Sequence, residues 1–246
     1  MSTISEHRTI RRYSGRDIAP ELLSRLLEEA GRTQTMGNLQ LYSVVVTRSA
    51  EGKAALSPLH FAQPMVTEAA VVLTVCADFR RTSRWAECRR ATPGYDNALS
   101  CLNAMTDALL YTQTLSIVAE REGLGVCFLG TTIYQPLSII KALRLPRLVF
   151  PVATLTMGWP AEEPPLSDRL PVGAYVHEEV YHDPTEADID AYYGAKEALE
   201  VNREFVRING KETLAQVFTD LRYTRKDNEA MSRTLIEALR HQGFIE

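Results

Sequence analysis

The heptapeptide "HRTIRRY" sets His7, Arg8, Thr9 and Arg11 within five residues of one another, with Arg12 and Tyr13 completing the run. Guanidiniums are planar, permanently charged donors that match phosphate oxygens, and a hydroxyl supplies one further bond. Holding a phosphate is the chemistry these residue types suit. The whole chain carries a formal net charge of -4, whereas nucleic-acid binding calls for a basic face that displaces counterions. Any phosphate bound here is therefore expected on a small molecule. A short basic run near an N-terminus also suits a solvated face, and the residues alone leave both readings open.

Other chemistries find little footing. Cys76, Cys88, Cys101 and Cys127 form no CxxC pair, so neither zinc spacing nor a disulfide framework is expected. The glycines of "GLGVCFLG", at 123, 125 and 130, miss the GxGxxG spacing, and the expected helix-then-strand order is the reverse of that fingerprint. No GxxxxGK[ST] loop and no GxSxG elbow occurs. In "HEEVYH" the histidines, His177 and His182, stand five apart, off a common helix face, so no metal is expected. With no nucleophile, metal cluster or acid/base pair in view, a bound cofactor has to carry the reaction.

The elements that must position the cluster are legible as apolar patterns. "PELLSRLLEEAG" starts with Pro20, ends with Gly31 and carries leucines at helical spacing. "LYSVVVTR", "AAVVLTVCAD", "LGVCFLG" and "LVFPVATLTMGW" read as strands. From Asn97 to Glu122 no proline or glycine interrupts the chain, which predicts a long central helix closed by Gly123. "PLSIIKALRL" predicts another helix. Strands and helices alternate, so the expected body is a mixed sheet covered by helices. After about Pro160 the chain turns polar and proline-rich, and beyond His177 lie two or three predicted helices. That tail has few bulky apolar residues and needs another surface to pack on, either the body or a second copy of the chain. The N-terminus has no apolar leader and no stretch is long enough to span a bilayer. A cytoplasmic chain with no membrane partner is the expectation.

In these residues the chain resembles the flavin-dependent nitroreductases, in particular the branch of NADPH-dependent nitroreductases and flavin reductases with a long C-terminal extension. The blocks "HRTIRRY", "TMGNLQLYSVVVT", "HFAQPMV", "GLGVCFLGTT" and "FPVATLTMGWPAEEPPLSDRLP" carry the resemblance, in order and over nearly the whole length. It implies an α+β fold with a mixed, mainly antiparallel sheet flanked by helices. It also implies a single domain over 1–246, with an FMN-binding body at 1–160 and a C-terminal excursion at 161–246 packing on the partner subunit of a homodimer.

By the same resemblance, His7, Arg8, Thr9 and Arg11 hold the FMN phosphate, while Arg12 is a surface charge. Extended backbone projects His7, Thr9 and Arg11 to one side, and Arg8 reaches the ligand through the adjoining turn. Gln63, read as lying just before a strand, is matched to a flavin-binding glutamine, and Asn38 and Gln40 to a loop that nears the cofactor. Backbone amides around Gly130 and Thr131 are expected at the reactive edge of the ring. Arg169 matches an FMN-contacting arginine, although Ser167 stands where relatives often carry lysine. Arg203 and Arg207, in a stretch read as loop-like, and Arg225 are candidates for the nicotinamide cofactor's phosphate; a solvated face is the plainer explanation of such charges. The implied activity is ping-pong hydride transfer at flavin N5 from NADPH or NADH to a small aromatic acceptor. A non-catalytic FMN carrier and a flavin-free binder of small phosphate ligands stand as the other readings.

Overall fold

The computed structural model describes residues 4–246. The four apolar runs form the strands β1 (Tyr42–Thr47), β2 (Val71–Asp78), β3 (Gly125–Leu129) and β4 (Val149–Gly158), joined in one sheet of order β1-β2-β4-β3. All three pairings are antiparallel, which refines the mixed sheet expected from the alternation of strands and helices. The helical connection from β2 to β3 does leave those two strands running parallel, as a crossover requires. β4 lies between them, so no parallel pair forms.

The helices are α1 (Pro20–Ala30), α2 (Ala50–Leu56), α3 (Pro64–Glu68), α4 (Arg80–Cys88), α5 (Ala98–Arg121), α6 (Pro136–Leu143), α7 (Glu186–Glu197), α8 (Glu200–Ile208), α9 (Leu214–Gln216) and α10 (Arg225–His241). The α+β class is the one the sequence implies. α5 is capped by Asn97, whose side chain accepts the Ser100 N–H at 2.9 Å, and the chain leaves it through Gly123 at φ +81°, a conformation that favours glycine. Its buried side is made of small residues, Ala104, Ala108 and Ala119, with Leu115 among them. They let the helix lie close against one sheet face, where Val44, Leu73, Val75 and Leu155 join the same cluster.

The opposite sheet face carries a second apolar cluster, with Val72, Cys127 and Leu129 packed against Leu56, Met65 and Val66. A register shift between Val75 and Cys76 lies opposite Pro151, where a strand interior loses an N–H donor and a bulge absorbs the mismatch.

The chain divides into two compact units, Met1–Pro165 with Met231–Glu246, and Leu166–Ala230. In the first, the C-terminal residues close onto the body: Leu148 N–H donates to Gln242 O at 2.9 Å, and Ala238 and Phe244 are fully buried. In the second, Thr185 and Asp188 form a capping box at the start of α7, and α9 runs into a π-helical turn at Val217–Arg222. Among the described residues no helix is long and apolar enough to cross a membrane.

Candidate functional site

Two glycines position the basic heptapeptide. Gly125 of β3 and Gly158 of β4 face each other across the sheet, and the N-terminal segment lies over the pair. A Cβ on Gly125 would meet three Ile10 atoms at 2.6–2.7 Å, and one on Gly158 would meet the Tyr13 ring at 2.8 Å. Ile10 N–H donates to Val126 O at 2.9 Å, and Ser14 N–H to Trp159 O at 2.9 Å. Glu162 Oε1 accepts the N–H groups of both Arg11, at 2.6 Å, and Arg12, at 3.0 Å. The Tyr13 hydroxyl is buried 2.8 Å from Thr156 Oγ1, and burial pushes its pKa well up. The segment is a strap fixed at both ends.

The strap then presents alternate side chains to opposite sides. His7 and Thr9 line a cavity of about 310 Å³ on the α5 face of the sheet, together with Thr112, Gln113, Ser116 and the half-exposed Phe128. His7 Nδ1 is already engaged, 2.5 Å from Glu120 Oε1. Arg8 turns the other way, into a depression shared with Glu6, Glu120 and Glu162, where its guanidinium donates to Glu6 O at 3.0 Å. Arg11 is exposed, and its charge opposes the larger effect of burial, which raises the Cys127 thiol pKa. The structure thus brings His7 and Thr9 together and sets Arg8 apart from them.

Two residues beyond Phe128, β3 ends in a 3-10 turn at Gly130–Ile133. Open space surrounds the position a Gly130 side chain would occupy. Thr132 pins the turn: its hydroxyl donates to Leu129 O at 2.8 Å and lies 3.0 Å from Thr154 Oγ1, from which it can accept. Thr131 Oγ1 lies 2.7 Å from Nδ1 of His60, which is fully buried. Burial lowers the His60 pKa to about 4, so the ring is neutral at pH 7, and its buried Nε2 has no partner. His60 ends a short 3-10 helix, after which Phe61 and Ala62 both take positive φ, 56° and 53°.

Those two residues deliver Gln63 to the N-cap of α3. Its placement just before a strand is therefore corrected: Pro64 opens a helical turn, which its fixed φ favours at N1, and the strand starts only at Val71. The Gln63 side chain makes no capping bond, so its amide keeps both donor and acceptor for another group.

Asn38 lies on a separate loop. Gly37, Asn38 and Gln40 all have positive φ, 55°, 56° and 48°, and the loop is closed by one buried carboxylate. Asp107 of α5, 1% exposed, accepts Met36 N–H at 2.9 Å and Leu41 N–H at 3.0 Å. Asp107 stands two residues before Leu109, another lining residue of the His7 cavity. Sequence reasoning singled out neither Asp107 nor His60. A lone carboxylate inside an otherwise apolar helical run was the available signal for the first, and a histidine between proline-bounded turns for the second.

The remaining candidates belong to the second unit. Arg169 donates to the carbonyls of Ser167, at 3.3 Å, and Asp168, at 2.8 Å. Lys196 bonds the Asp168 carboxylate at 2.8 Å and holds its pKa low. The stretch with Arg203 and Arg207 is not loop-like but helical, α8, because Val201, Phe205 and Ile208 recur at helical spacing. Arg207 is paired with Glu204 and Arg225 with Glu229. Arg203 instead borders a cavity of about 260 Å³ with Glu197 and Glu212. His177 and His182 lie in a non-helical segment with ring centroids 6.4 Å apart, and no group of three potential ligands occurs among the described residues.

This arrangement, an imidazole and a hydroxyl on a half-apolar cavity whose strand runs on into an open glycine turn, suits a flat ligand with a phosphate tail. Comparison with known proteins agrees with it. The chain is 32% identical over 220 residues to the FMN reductase (NAD(P)H) of Bacillus subtilis (strain 168), covering 87% of this chain and 86% of that one. It is 30% identical over 240 residues to the oxygen-insensitive NADPH nitroreductase of Salmonella typhimurium (strain LT2), covering 97% and 95%. A crystal structure from Bacteroides fragilis NCTC 9343, of a protein put forward as an oxidoreductase, superposes with a TM-score of 0.96 at 57% identity over 98% of each chain. The model of the nitroreductase family matches residues 4–159, and the chain belongs to that family of oxidoreductases.

Proposed function

We propose that the protein is a homodimeric, FMN-dependent NAD(P)H oxidoreductase that reduces nitroaromatic, quinone or flavin acceptors in ping-pong fashion. The observation that carries this reading is the cavity lined by His7, Thr9 and Phe128, followed along the chain by the open Gly130 turn, which the Thr131–His60 contact ties to the loop that carries the uncommitted Gln63 amide. When bound, FMN would supply the two-electron hydride chemistry between nicotinamide and acceptor. The donor set fits that group. His7, Thr9 and Arg11 offer an imidazole, a hydroxyl and a guanidinium to a phosphate, and Arg8 adds positive charge from the far side of the strap. Gln63 and Asn38 can bond ring carbonyls or the ribityl chain, and the N–H groups at Gly130 and Thr131 favour negative charge developing on the ring. Neutral His60 keeps the Thr131 turn in place without adding a charge of its own.

The dimer reading rests on the outer side of α5. Leu99 is 68% exposed and Leu102 62%, with Leu109 and Leu110 also exposed, so one long helix carries apolar residues on the side away from the core. A stripe of this kind calls for a cover, and a second copy of the chain supplies one. Arg203, the basic side chain of α8 without a carboxylate partner, is the candidate for the NADPH 2'-phosphate in the second unit, and Arg169 for the FMN there. Steady-state kinetics with a quinone acceptor test both points: the protein oxidises NADPH only when loaded with FMN, and Arg203→Ala raises KM for NADPH about tenfold with little change for NADH. Equal losses with both donors would remove Arg203 from the site, and no turnover with either would remove the enzyme reading in favour of a carrier.

A further inference from the structure

Across the sheet from the His7 cavity lies another, of about 400 Å³. Its floor is the face turned away from α5, where Ser43 is registered with Cys76, and Asp78 with Val149; directly opposed residues share a face. Arg80, Arg81 and Arg84, from the first turns of α4, line one wall. Arg144, at the left-handed C-cap of α6, lines the other. Four guanidiniums thus meet around one carboxylate, in a chain whose net charge is -4.

That carboxylate does not neutralise them. Asp78 is 6% exposed and is bonded by the Ser43 hydroxyl and by Arg81 N–H at 3.1 Å. The Arg81 guanidinium is spent on backbone, donating to Tyr42 O at 3.1 Å and to Gln40 O. Arg84 reaches Glu87 at 2.7 Å, an exposed pair worth little in water. Arg80 and Arg144 have no side-chain partner among the described residues. Opposed, unpaired guanidiniums around a concave site repel one another, and an anion seated between them converts that repulsion into charge-assisted bonds.

We propose that this cavity is a second ligand site, taking a phosphate-bearing small molecule whose anion is held by Arg80, Arg84 and Arg144 and whose apolar body rests on Leu145 and Pro146. Its volume is in the range of small-molecule sites. It shares no lining residue with the His7 cavity, which lies on the α5 face of the sheet, so it is distinct from the proposed phosphate position. Three guanidiniums converging on one anion favour a phosphate, with more oxygens and more charge to share among them, over a carboxylate with two oxygens and a single charge.

Calorimetric titration of the full chain, saturated with FMN and in low salt, with inorganic pyrophosphate tests the site. Wild-type protein and an Arg89→Ala/Arg90→Ala control, which removes equal charge just beyond α4, are expected to bind one equivalent alike. Arg80→Ala/Arg144→Ala is expected to weaken binding at least tenfold while leaving the NADPH oxidation rate unchanged. Absence of saturable binding to the wild-type protein would overturn the proposal, and so would an equal loss in the control variant, which would mark a general charge effect.

Discussion

Replacing Gly125 by alanine tests whether the strap's position governs cofactor binding. The added methyl would sit 2.6–2.7 Å from three atoms of Ile10, a residue only 8% exposed and held by its N–H on Val126 O. Overpacking of this kind costs about 1–3 kcal/mol, more than the single ladder bond, worth ~1 kcal/mol, can oppose. The strap is therefore displaced in the free protein, and FMN has to redock it on binding. At 1.4 kcal/mol per decade, FMN affinity falls roughly 5- to 100-fold, read by quenching of flavin fluorescence. The second-site change Ile10→Ala makes room for the new methyl, so the Gly125→Ala/Ile10→Ala double variant is expected to recover to within about threefold of wild type; the cycle isolates this one contact. Wild-type affinity in Gly125→Ala, or no recovery in the double variant, would refute the assignment of the strap to the phosphate.

Other expectations follow from the same geometry. Asp107→Ala leaves the Met36 and Leu41 N–H groups without their carboxylate; at ~1.5–3 kcal/mol for each of the two charged bonds the loss is about 3–6 kcal/mol, seen as a fall in Tm of at least roughly 6 °C, and Asp107→Asn recovers part of it. An unchanged Tm would show that the loop closes without this residue. His60 has a folded pKa of about 4 against an ordinary 6.5, so between those values the unfolded chain binds more protons and stability falls as pH drops from 6.5 towards 4, by up to about 3 kcal/mol. His60→Gln should flatten that part of the Tm-versus-pH curve, and an identical curve would place the acid sensitivity elsewhere. Leu102→Asp with Leu109→Asp should halve the mass seen by light scattering while leaving the circular dichroism of the fold unchanged; a dimer that persists would move the interface off α5.

All four strands and the long helix were readable because each is an apolar run with clear boundaries, and they match to within about two residues at each end. What the sequence concealed depended on contacts between distant segments. Nothing local shows that Phe61 and Ala62 take positive φ, so Gln63 was read next to a strand and not at the head of α3. Asp107 is ordinary in a helix until Met36 and Leu41, some seventy positions away, bring their amides to it. Alternation along the strap sets His7 and Thr9 on one cavity wall and sends Arg8 to a separate depression, while Arg11, expected beside the first two, does not line that cavity. α8 was legible from Val201, Phe205 and Ile208 but hidden by its many charges. Truncation near Val180 would remove the tail but also strip Ala238, Gln242 and Phe244 from the core of the first unit, so the point substitutions on α5 are the cleaner test of assembly.

The most direct measurement is anaerobic. The purified protein is saturated with FMN, freed of excess, mixed with NADPH, and followed at the yellow flavin absorbance. The account predicts that flavin is retained at about one equivalent per chain and bleaches rapidly, and that an added quinone restores the colour. Protein that retains no flavin, or retains it and leaves it yellow with both NADPH and NADH, would contradict the account.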